Sequence, residues 1–128
     1  SLHAASVSRK VLLAWPASGE ELAMFKGRLE GLAELMCLKS CAELLREIRD
    51  AEVVVSSRLP DEAILAAGKL RFIQAVSAGV DSFNFELLRE RGIMLASAKG
   101  CNARAVAEHA LALLLALAKR VTVLGQGG

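Results

Sequence analysis

Short runs of apolar residues alternate along this chain with segments in which apolar residues recur every three or four positions. The apolar runs Val11–Trp15 and Val53–Val55 are typical of strands that are buried on both faces of a sheet. Between them, Leu44, Leu45 and Ile48 follow a helical spacing and would give one helix a buried face. The pattern therefore predicts strands and helices in strict alternation.

The same alternation extends over most of the chain. The predicted strands are Val11–Trp15, Glu34–Leu38, Val53–Val55, Leu70–Val76 and Ile93–Ala96. The predicted helices begin at Ser18, Ser40, Pro60, Ser82 and Asn102, and the last of them runs to about Arg120. Five strands alternating with five helices predict an α/β fold, a flavodoxin-like parallel sheet of strand order 2-1-3-4-5 with helices on both faces.

Polar residues mark several helix boundaries. Ser18 with Glu21, and Ser40 with Glu43, have the spacing of capping boxes, in which a hydroxyl and a carboxylate satisfy backbone N–H groups of the first helical turn. Gly92 is expected to end the fourth helix, because glycine tolerates the left-handed conformation found there.

Composition narrows the possible partners. The chain has 128 residues, of which 54% are hydrophobic, enough for one domain with its own core. Its net charge of +2 and the lack of a basic stripe with interleaved aromatics argue against a nucleic-acid partner. The longest apolar run, Ala110–Ala118, is shorter than the roughly 18 residues that a membrane span requires, so we expect no membrane partner.

Cysteine usage indicates the compartment. Cys37, Cys41 and Cys101 are the three cysteines, an odd number without disulfide spacing, which favours a reduced, cytoplasmic protein. Cys37 and Cys41 also lack a histidine or further cysteine at metal-ligand spacing. We therefore expect no metal site and interpret these two as core or helix-start residues.

The strand order predicts where a ligand binds. Ligands of open α/β sheets bind beyond the carboxyl ends of the strands, at the switch in strand order, which here lies between strands one and three. The loops near that point are 16–19, 56–58, 77–80 and 99–102. They offer turn N–H groups, the Arg58 guanidinium and the Asn102 carboxamide, a set suited to a small carboxylate.

Two other proteins of this fold class fit the sequence poorly. A phospho-receiver domain needs acidic residues after strands one and three, where this chain has Trp15-Pro16 and Ser56-Ser57. A flavodoxin needs aromatic residues beside its flavin, and only 4% of these residues are aromatic.

Two segments carry a family resemblance. Residues 100–111 have the form G-x-N-x-x-x-V-A-E-H at the start of the long apolar helix, and residues 77–81 read Ser-Ala-Gly-Val-Asp. Together they resemble the substrate-binding domain of the NAD(P)-dependent D-2-hydroxyacid dehydrogenases, which include formate and glycerate dehydrogenases. The resemblance runs from about Val53 to Arg120. It implies an oxidoreductase that transfers hydride between a small 2-hydroxy or 2-oxo acid and NAD or NADP.

The resemblance also implies residue roles. The backbone N–H groups at Ala78 and Gly79 would hold the substrate carboxylate, Asn102 would lie beside substrate and nicotinamide, and Arg58 would assist in binding. From the residues alone, Asn102 is equally a helix N-cap, Gly79 a turn glycine and Arg58 a solvated loop residue. The family's catalytic arginine, acid and histidine belong to a dinucleotide-binding domain, so none is expected in this chain, and His109 is part of the helix motif.

The last residues resemble the start of a second domain. Val121–Gly128 read like a strand that enters the first two glycines of a G-x-G-x-x-G dinucleotide loop. We therefore expect a substrate-binding domain at 1–120, with a linking helix at 102–120, and the truncated start of a Rossmann domain at 121–128. Gly125 and Gly127 are the candidate cofactor contacts.

Two functions remain open. The helix Ala103–Lys119 is apolar on nearly all sides, which predicts burial against a partner, and the family places this helix in a homodimer interface. The first function is the substrate-binding domain of a dehydrogenase that is inactive in isolation. The alternative is a non-catalytic, dimerising, NADH-linked regulatory module of the corepressor kind.

Overall fold

The computed structural model describes residues 9–14, 18–76, 83–97 and 103–127, with the side chains of the last helix described over 104–116. The residues named above that lie outside this part of the chain include Ala78, Gly79, Ser82, Cys101 and Asn102. The predicted binding roles of Ala78, Gly79 and Asn102 stay predictions.

Five parallel strands form one sheet. They are β1 (Arg9–Ala14), β2 (Ala33–Cys37), β3 (Val53–Ser56), β4 (Phe72–Ala75) and β5 (Met94–Ser97). Their order across the sheet is β2-β1-β3-β4-β5, which confirms the predicted topology. The paired residues include Leu13 with Cys37 and Ala14 with Ser56, so β1, β2 and β3 end at nearly the same level.

The helices connect successive strands. They are α1 (Gly19–Leu29), α2 (Cys41–Glu47), α3 (Asp61–Ala66), α4 (Phe85–Arg91) and α5 (Ala103–Gly127), with a 3-10 turn at Ile48–Asp50 after α2.

The predicted caps are largely present. Ser18 forms both hydrogen bonds of its capping box with Glu21. At α2, Ser40 accepts from the Glu43 N–H at 3.2 Å, but the Glu43 carboxylate accepts from the N–H of Lys39 rather than from Ser40. Gly92 ends α4 with φ of +68°, as expected of a left-handed cap.

The start of α4 corrects one prediction. Ser82 was expected to begin this helix, but Asn84 is its N-cap, and the Asn84 side chain accepts a hydrogen bond from the Leu87 N–H at 3.1 Å. Asparagine caps a helix at least as well as serine. Phe83, between them, is buried at 4% exposure, and its burial accompanies the later start.

The two faces of the sheet carry separate cores. On one face α1 and α5 cover Val11, Leu13 and other residues, with Phe25 of α1 and Val106 of α5 among the buried side chains. On the other face α2, α3 and α4 cover Leu12 and its neighbours. Alternate residues of β1 thus contribute to opposite cores, as the continuous apolar runs predicted.

The end of the chain corrects a second prediction. Val121–Leu124 was expected to be a strand and Gly125–Gly127 a phosphate-binding turn, but α5 continues to Gly127. The β-branched residues there favour a strand only weakly, whereas adding residues to a formed helix is easy because the costly nucleus already exists. In a helix, the N–H groups of Gly125 and Gly127 point to carbonyls of the preceding turn.

At the amino end of β1, charged residues are paired. Arg9 contacts Glu52 at 2.6 Å, and Lys10 contacts Glu47 at 2.6 Å and Asp50 at 2.8 Å. Burial lowers the pKa of Lys10, but its hydrogen bonds to Asp50 and Glu47 outweigh that effect and raise the pKa. The same hydrogen bonds from Lys10 lower the pKa of Glu47 and of Asp50.

Among the described residues, no helix is both long and apolar enough to cross a membrane. The same part of the chain contains no group of three or more His, Cys, Asp or Glu side chains arranged to hold a metal ion.

Candidate functional site

A cavity of about 630 Å³ lies where β1, β2 and β3 end. Its apolar lining includes Ala14, the last residue of β1, together with Leu38 and Leu44. Because β1 lies between β2 and β3, the loops that leave those two strands stand on opposite sides of its end. The volume lies within the range of about 300–1,000 Å³ that is usual for small-molecule sites.

The loop after β3 forms one wall of this cavity. Ser56, buried at 2% exposure, accepts a hydrogen bond from the N–H of Arg58 and donates one to its carbonyl. The next residue, Leu59, is buried at 3% exposure. These contacts fix the backbone of Arg58 on both sides, while its side chain is exposed and lines the cavity.

The loop after β2 forms the facing wall. Lys39, Ser40 and Cys41 line the cavity as the chain enters α2. The Glu43 carboxylate accepts a hydrogen bond from the Lys39 backbone N–H at 2.7 Å, and this bond holds the loop against the first turn of α2.

The cavity therefore carries positive charge on two walls. Lys39 and Arg58 belong to different loops, and both line it. Within the described part of the chain, neither forms an ion pair; the paired cations there are Arg9, Lys10, Arg28 and Arg46. A guanidinium can bind a carboxylate or phosphate in a bidentate manner, and an ammonium adds a second point charge. The arrangement suits an anionic ligand.

The predicted site residues differ in where they lie relative to the cavity. Arg58 lines the cavity at the expected switch in strand order. Ala78, Gly79 and Asn102 lie outside the described residues. Gly125 and Gly127 lie in α5, where the helical backbone does not form the turn that a dinucleotide pyrophosphate needs.

Sequence reasoning missed the β2 side of the cavity. Lys39 was not a candidate, and Cys37 and Cys41 were interpreted only as core or helix-start residues. Cys41 does begin α2, and Cys37 is half-buried, but both also line the cavity. The strand order contained the missing signal, since a sheet ordered 2-1-3 places the β2 loop beside the end of β1.

Gln74 is a second residue that sequence reasoning missed. It lies in β4, fully buried, and its side-chain amide donates to the carbonyls of Ala75 and Ala96 over 3.4 Å each. Its Oε1 accepts no hydrogen bond from any described residue. This carboxamide therefore joins β4 to β5.

The V-A-E-H motif at the start of α5 has structural contacts. Val106 and Ala107 are buried at 1% and 0% exposure, and Glu108 pairs with Arg28 of α1 at 2.8 Å. His109 is half-buried. Glu108 thus joins α5 to α1, and Val106 and Ala107 belong to the core between these helices and the sheet, so three positions of the motif have structural contacts.

Comparison with known proteins identifies relatives of this chain. Residues 11–123 match the family described as D-isomer specific 2-hydroxyacid dehydrogenase, catalytic domain. The chain is 37% identical over 116 residues to a D-3-phosphoglycerate dehydrogenase of Archaeoglobus fulgidus, a match covering 88% of this chain and 22% of that protein. It is 34% identical over 103 residues to an erythronate-4-phosphate dehydrogenase of Azotobacter vinelandii, covering 79% of this chain and 27% of that protein.

Solved structures share the fold. A NAD⁺-bound 3-phosphoglycerate dehydrogenase of Entamoeba histolytica superimposes with a TM-score of 0.64 at 22% identity, over 70% of this chain and 32% of that chain. A phosphoglycerate dehydrogenase of Lactobacillus plantarum superimposes with a TM-score of 0.55 at 24% identity, over 93% of this chain and 39% of that chain.

The chain spans about a quarter of the length of the curated relatives that it matches. The family match, however, covers most of the chain, and the strand order agrees with the sequence-based expectation. The chain therefore belongs to the D-isomer specific 2-hydroxyacid dehydrogenase family, and it matches the catalytic domain of that family.

Proposed function

We propose that this chain is the substrate-binding part of an NAD(P)-dependent oxidoreductase that acts on the CH–OH group of small 2-hydroxy acids and, in reverse, reduces 2-oxo acids. The observation that carries the proposal is the cavity at the carboxyl ends of β1, β2 and β3, where Arg58 and Lys39 face the same space without an ion-pair partner among the described residues. Family membership supplies the reaction.

The substrate that fits this proposal carries two anionic groups. The resemblance assigns its carboxylate to the backbone N–H groups at Ala78 and Gly79, with Asn102 beside the reacting carbon. Arg58 and Lys39 then bind the second anion at the other end of the molecule. The two curated relatives described above are named for phosphorylated substrates, which supports a phosphorylated 2-hydroxy acid as the substrate class.

The chain's own residues bind and orient the substrate. The arginine, acid and histidine that the resemblance implies for catalysis belong to a dinucleotide-binding domain, so we propose that these 128 residues alone have no turnover. The nicotinamide cofactor would supply the hydride. Gly125 and Gly127 lie in the helix α5, and their role as cofactor contacts stays a prediction.

The homodimer expectation also stays a proposal. On α5, Leu115 is 49% exposed, and Leu111 and Leu113 are half-buried. A helix that is apolar on nearly all sides favours burial against a second surface. We propose that a second copy of this chain covers it. Light scattering on wild type and Leu115→Glu tests this, and a wild-type monomer at working concentration would contradict it.

The deciding experiment measures NADH and NADPH oxidation with paired 2-oxo acids, one member of each pair phosphorylated. It compares an extended protein, which includes the dinucleotide-binding domain, with this chain alone. We expect turnover only from the extended protein, with the phosphorylated member preferred. Turnover by this chain alone would contradict the division of roles. Dinucleotide binding without turnover by the extended protein would favour the regulatory module.

A further inference from the structure

A second cavity, of about 370 Å³, lies at the opposite end of the sheet, where the strands begin. Its lining comes from three segments: Glu52 before β3, the stretch 68–71 before β4, and Arg91, the last residue of α4. Because β3 and β4 are neighbours and α4 leads into β5, these segments meet side by side. The cavity is separate from the Arg58 cavity and shares no lining residue with it.

The backbone beneath this cavity is fixed by hydrogen bonds. The Arg71 N–H donates to the Glu52 carbonyl at 2.9 Å, and the Arg71 carbonyl accepts from the Met94 N–H at 2.8 Å. The Gly68 N–H donates to the Arg49 carbonyl at 3.1 Å, and a Cβ at position 68 would lie 3.2 Å from that oxygen. Lys69 and Arg71 therefore extend from a closely packed backbone.

The charges that line this cavity do not balance. Lys69, Arg71 and Arg91 are cations, and none forms an ion pair within the described ranges. The carboxylate of the lining, Glu52, contacts Arg9 at 2.6 Å. Asp50 contacts Lys10 at 2.8 Å, and this hydrogen bond is the main cause that lowers the pKa of Asp50, to which Lys69 adds. Glu52 and Asp50 are thus each engaged by a cation outside the lining.

We propose that this cavity binds a small anion that carries several charges, of the pyrophosphate or polyphosphate class. The three cations that line one cavity match such a ligand, since guanidinium and ammonium groups form charge-assisted hydrogen bonds with phosphoryl oxygens. Leu70, buried at 6% exposure, contributes an apolar side chain to the lining. A cavity of about 370 Å³ limits the ligand to a small molecule. The net charge of +2 does not provide the extended basic surface that binds a nucleic acid.

The test is a titration of the 128-residue chain with pyrophosphate at constant ionic strength, followed by amide resonances in NMR spectra. We expect saturable shifts at Lys69, Arg71 and Arg91. Arg91→Gln should weaken binding about tenfold or more, the effect of losing one hydrogen bond between charged groups. Arg89→Gln, on the same helix but outside the cavity, is the matched control and should leave the affinity unchanged.

A further variant distinguishes this cavity from the Arg58 cavity. Arg58→Gln should leave the pyrophosphate shifts at Arg71 and Arg91 unchanged. This result is expected whether or not the extended protein is a dehydrogenase, so the inference and the proposed function can fail independently. Circular dichroism shows whether each glutamine variant stays folded. Absence of saturation at millimolar pyrophosphate, equal loss in Arg89→Gln, or tighter binding of a single-stranded oligonucleotide than of pyrophosphate would each overturn the proposal.

Discussion

The two ends of strand β1 differ in how the charged side chains beside them are partnered. Where β1 begins, Lys10 contacts two carboxylates, and Arg9 contacts Glu52 at 2.6 Å. Where β1 ends, Arg58 and Lys39 line a cavity without an ion pair to any residue that the structure describes. One strand thus has cations at both ends, neutralised by the protein at one end and left available at the other.

This difference shows that cations of one sheet can serve different roles. An ion pair at the surface contributes little to stability and fixes two side chains, whereas a cation held without a counter-charge is ready to bind an anion from solution. The backbone loops that carry Arg58 and Lys39 are nevertheless anchored by the hydroxyl of Ser56 and the carboxylate of Glu43. Stability and binding are therefore separable by single substitutions.

The largest expected effect follows from removing the guanidinium at the carboxyl end. Arg58→Gln in the extended protein should lower kcat/KM for a phosphorylated 2-oxo acid by about 10- to 100-fold, since a hydrogen bond between charged groups contributes about 1.5–3 kcal/mol. Steady-state kinetics measures this, and the thermal midpoint should stay unchanged. Lys26→Gln, on the exposed face of α1, is the control. An equal loss with the unphosphorylated substrate would contradict a role in binding the second anion.

A smaller effect should follow from releasing the Arg58 loop. Ser56→Ala removes the hydroxyl that bonds both the N–H and the carbonyl of Arg58. A hydrogen bond contributes about 1 kcal/mol net, so KM for the phosphorylated substrate should rise about fivefold. In Ser56→Ala/Arg58→Gln, the serine substitution should add almost nothing to the loss. Additive effects in this double-mutant cycle would show that Ser56 does not act through Arg58.

At the amino end of β1, substitution of Lys10 should affect stability alone. Lys10→Met leaves Glu47 and Asp50 without the cation that each contacts, so the urea midpoint of unfolding should fall while the slope of the transition stays constant. Lys26→Met changes the net charge equally and should leave the midpoint unchanged. A lower substrate affinity in Lys10→Met would show that the two ends of the sheet are coupled.

The smallest expected effect is the pH dependence of the stability that the ion pairs of Lys10 contribute. Lys10 lowers the pKa of Glu47 and of Asp50, so their contribution to stability is present above their unfolded values of about 4 and is lost as pH falls through the folded values. The pKa of Lys10 is raised, so its contribution is lost only in strong alkali. The gap in unfolding free energy between wild type and Lys10→Met should close in acid. A gap that is constant from acid to neutral pH would contradict this.

Much of the fold could be predicted from the sequence because local conformational preferences agree with the tertiary packing. Val53–Val55, three β-branched residues in a row, predicts a central strand, and all three are fully buried. Ser18 and Glu21 predict a helix start, and both capping hydrogen bonds form. Prediction failed where two neighbouring residues could play one role, as with Ser82 and Asn84, because burial of Phe83 is not visible in a local motif.

The candidate site could be predicted from the sequence only in part, because some of its residues come together only in the folded sheet. Arg58 lies in the loop that follows β3, separated from the strand by Ser57, so the strand end identifies it. Lys39 becomes relevant only when β2 is known to lie beside β1, a relation between segments distant in sequence. Gln74 lies in a strand whose other residues are apolar. The sequence of that strand does not show whether the side-chain oxygen of Gln74 accepts a hydrogen bond.

The pairing of α1 with α5 has a consequence for how the chain folds. The face of the sheet under α2, α3 and α4 is built from consecutive segments, whereas Arg28 and Glu108 join helices near opposite ends of the chain. Contacts between distant segments form late because loop closure has to come first. During synthesis, the face of the sheet that α1 and α5 cover has only α1 on it until α5 has left the ribosome. Apolar residues of β1 and β3 on this face are therefore incompletely covered in that interval, which favours aggregation.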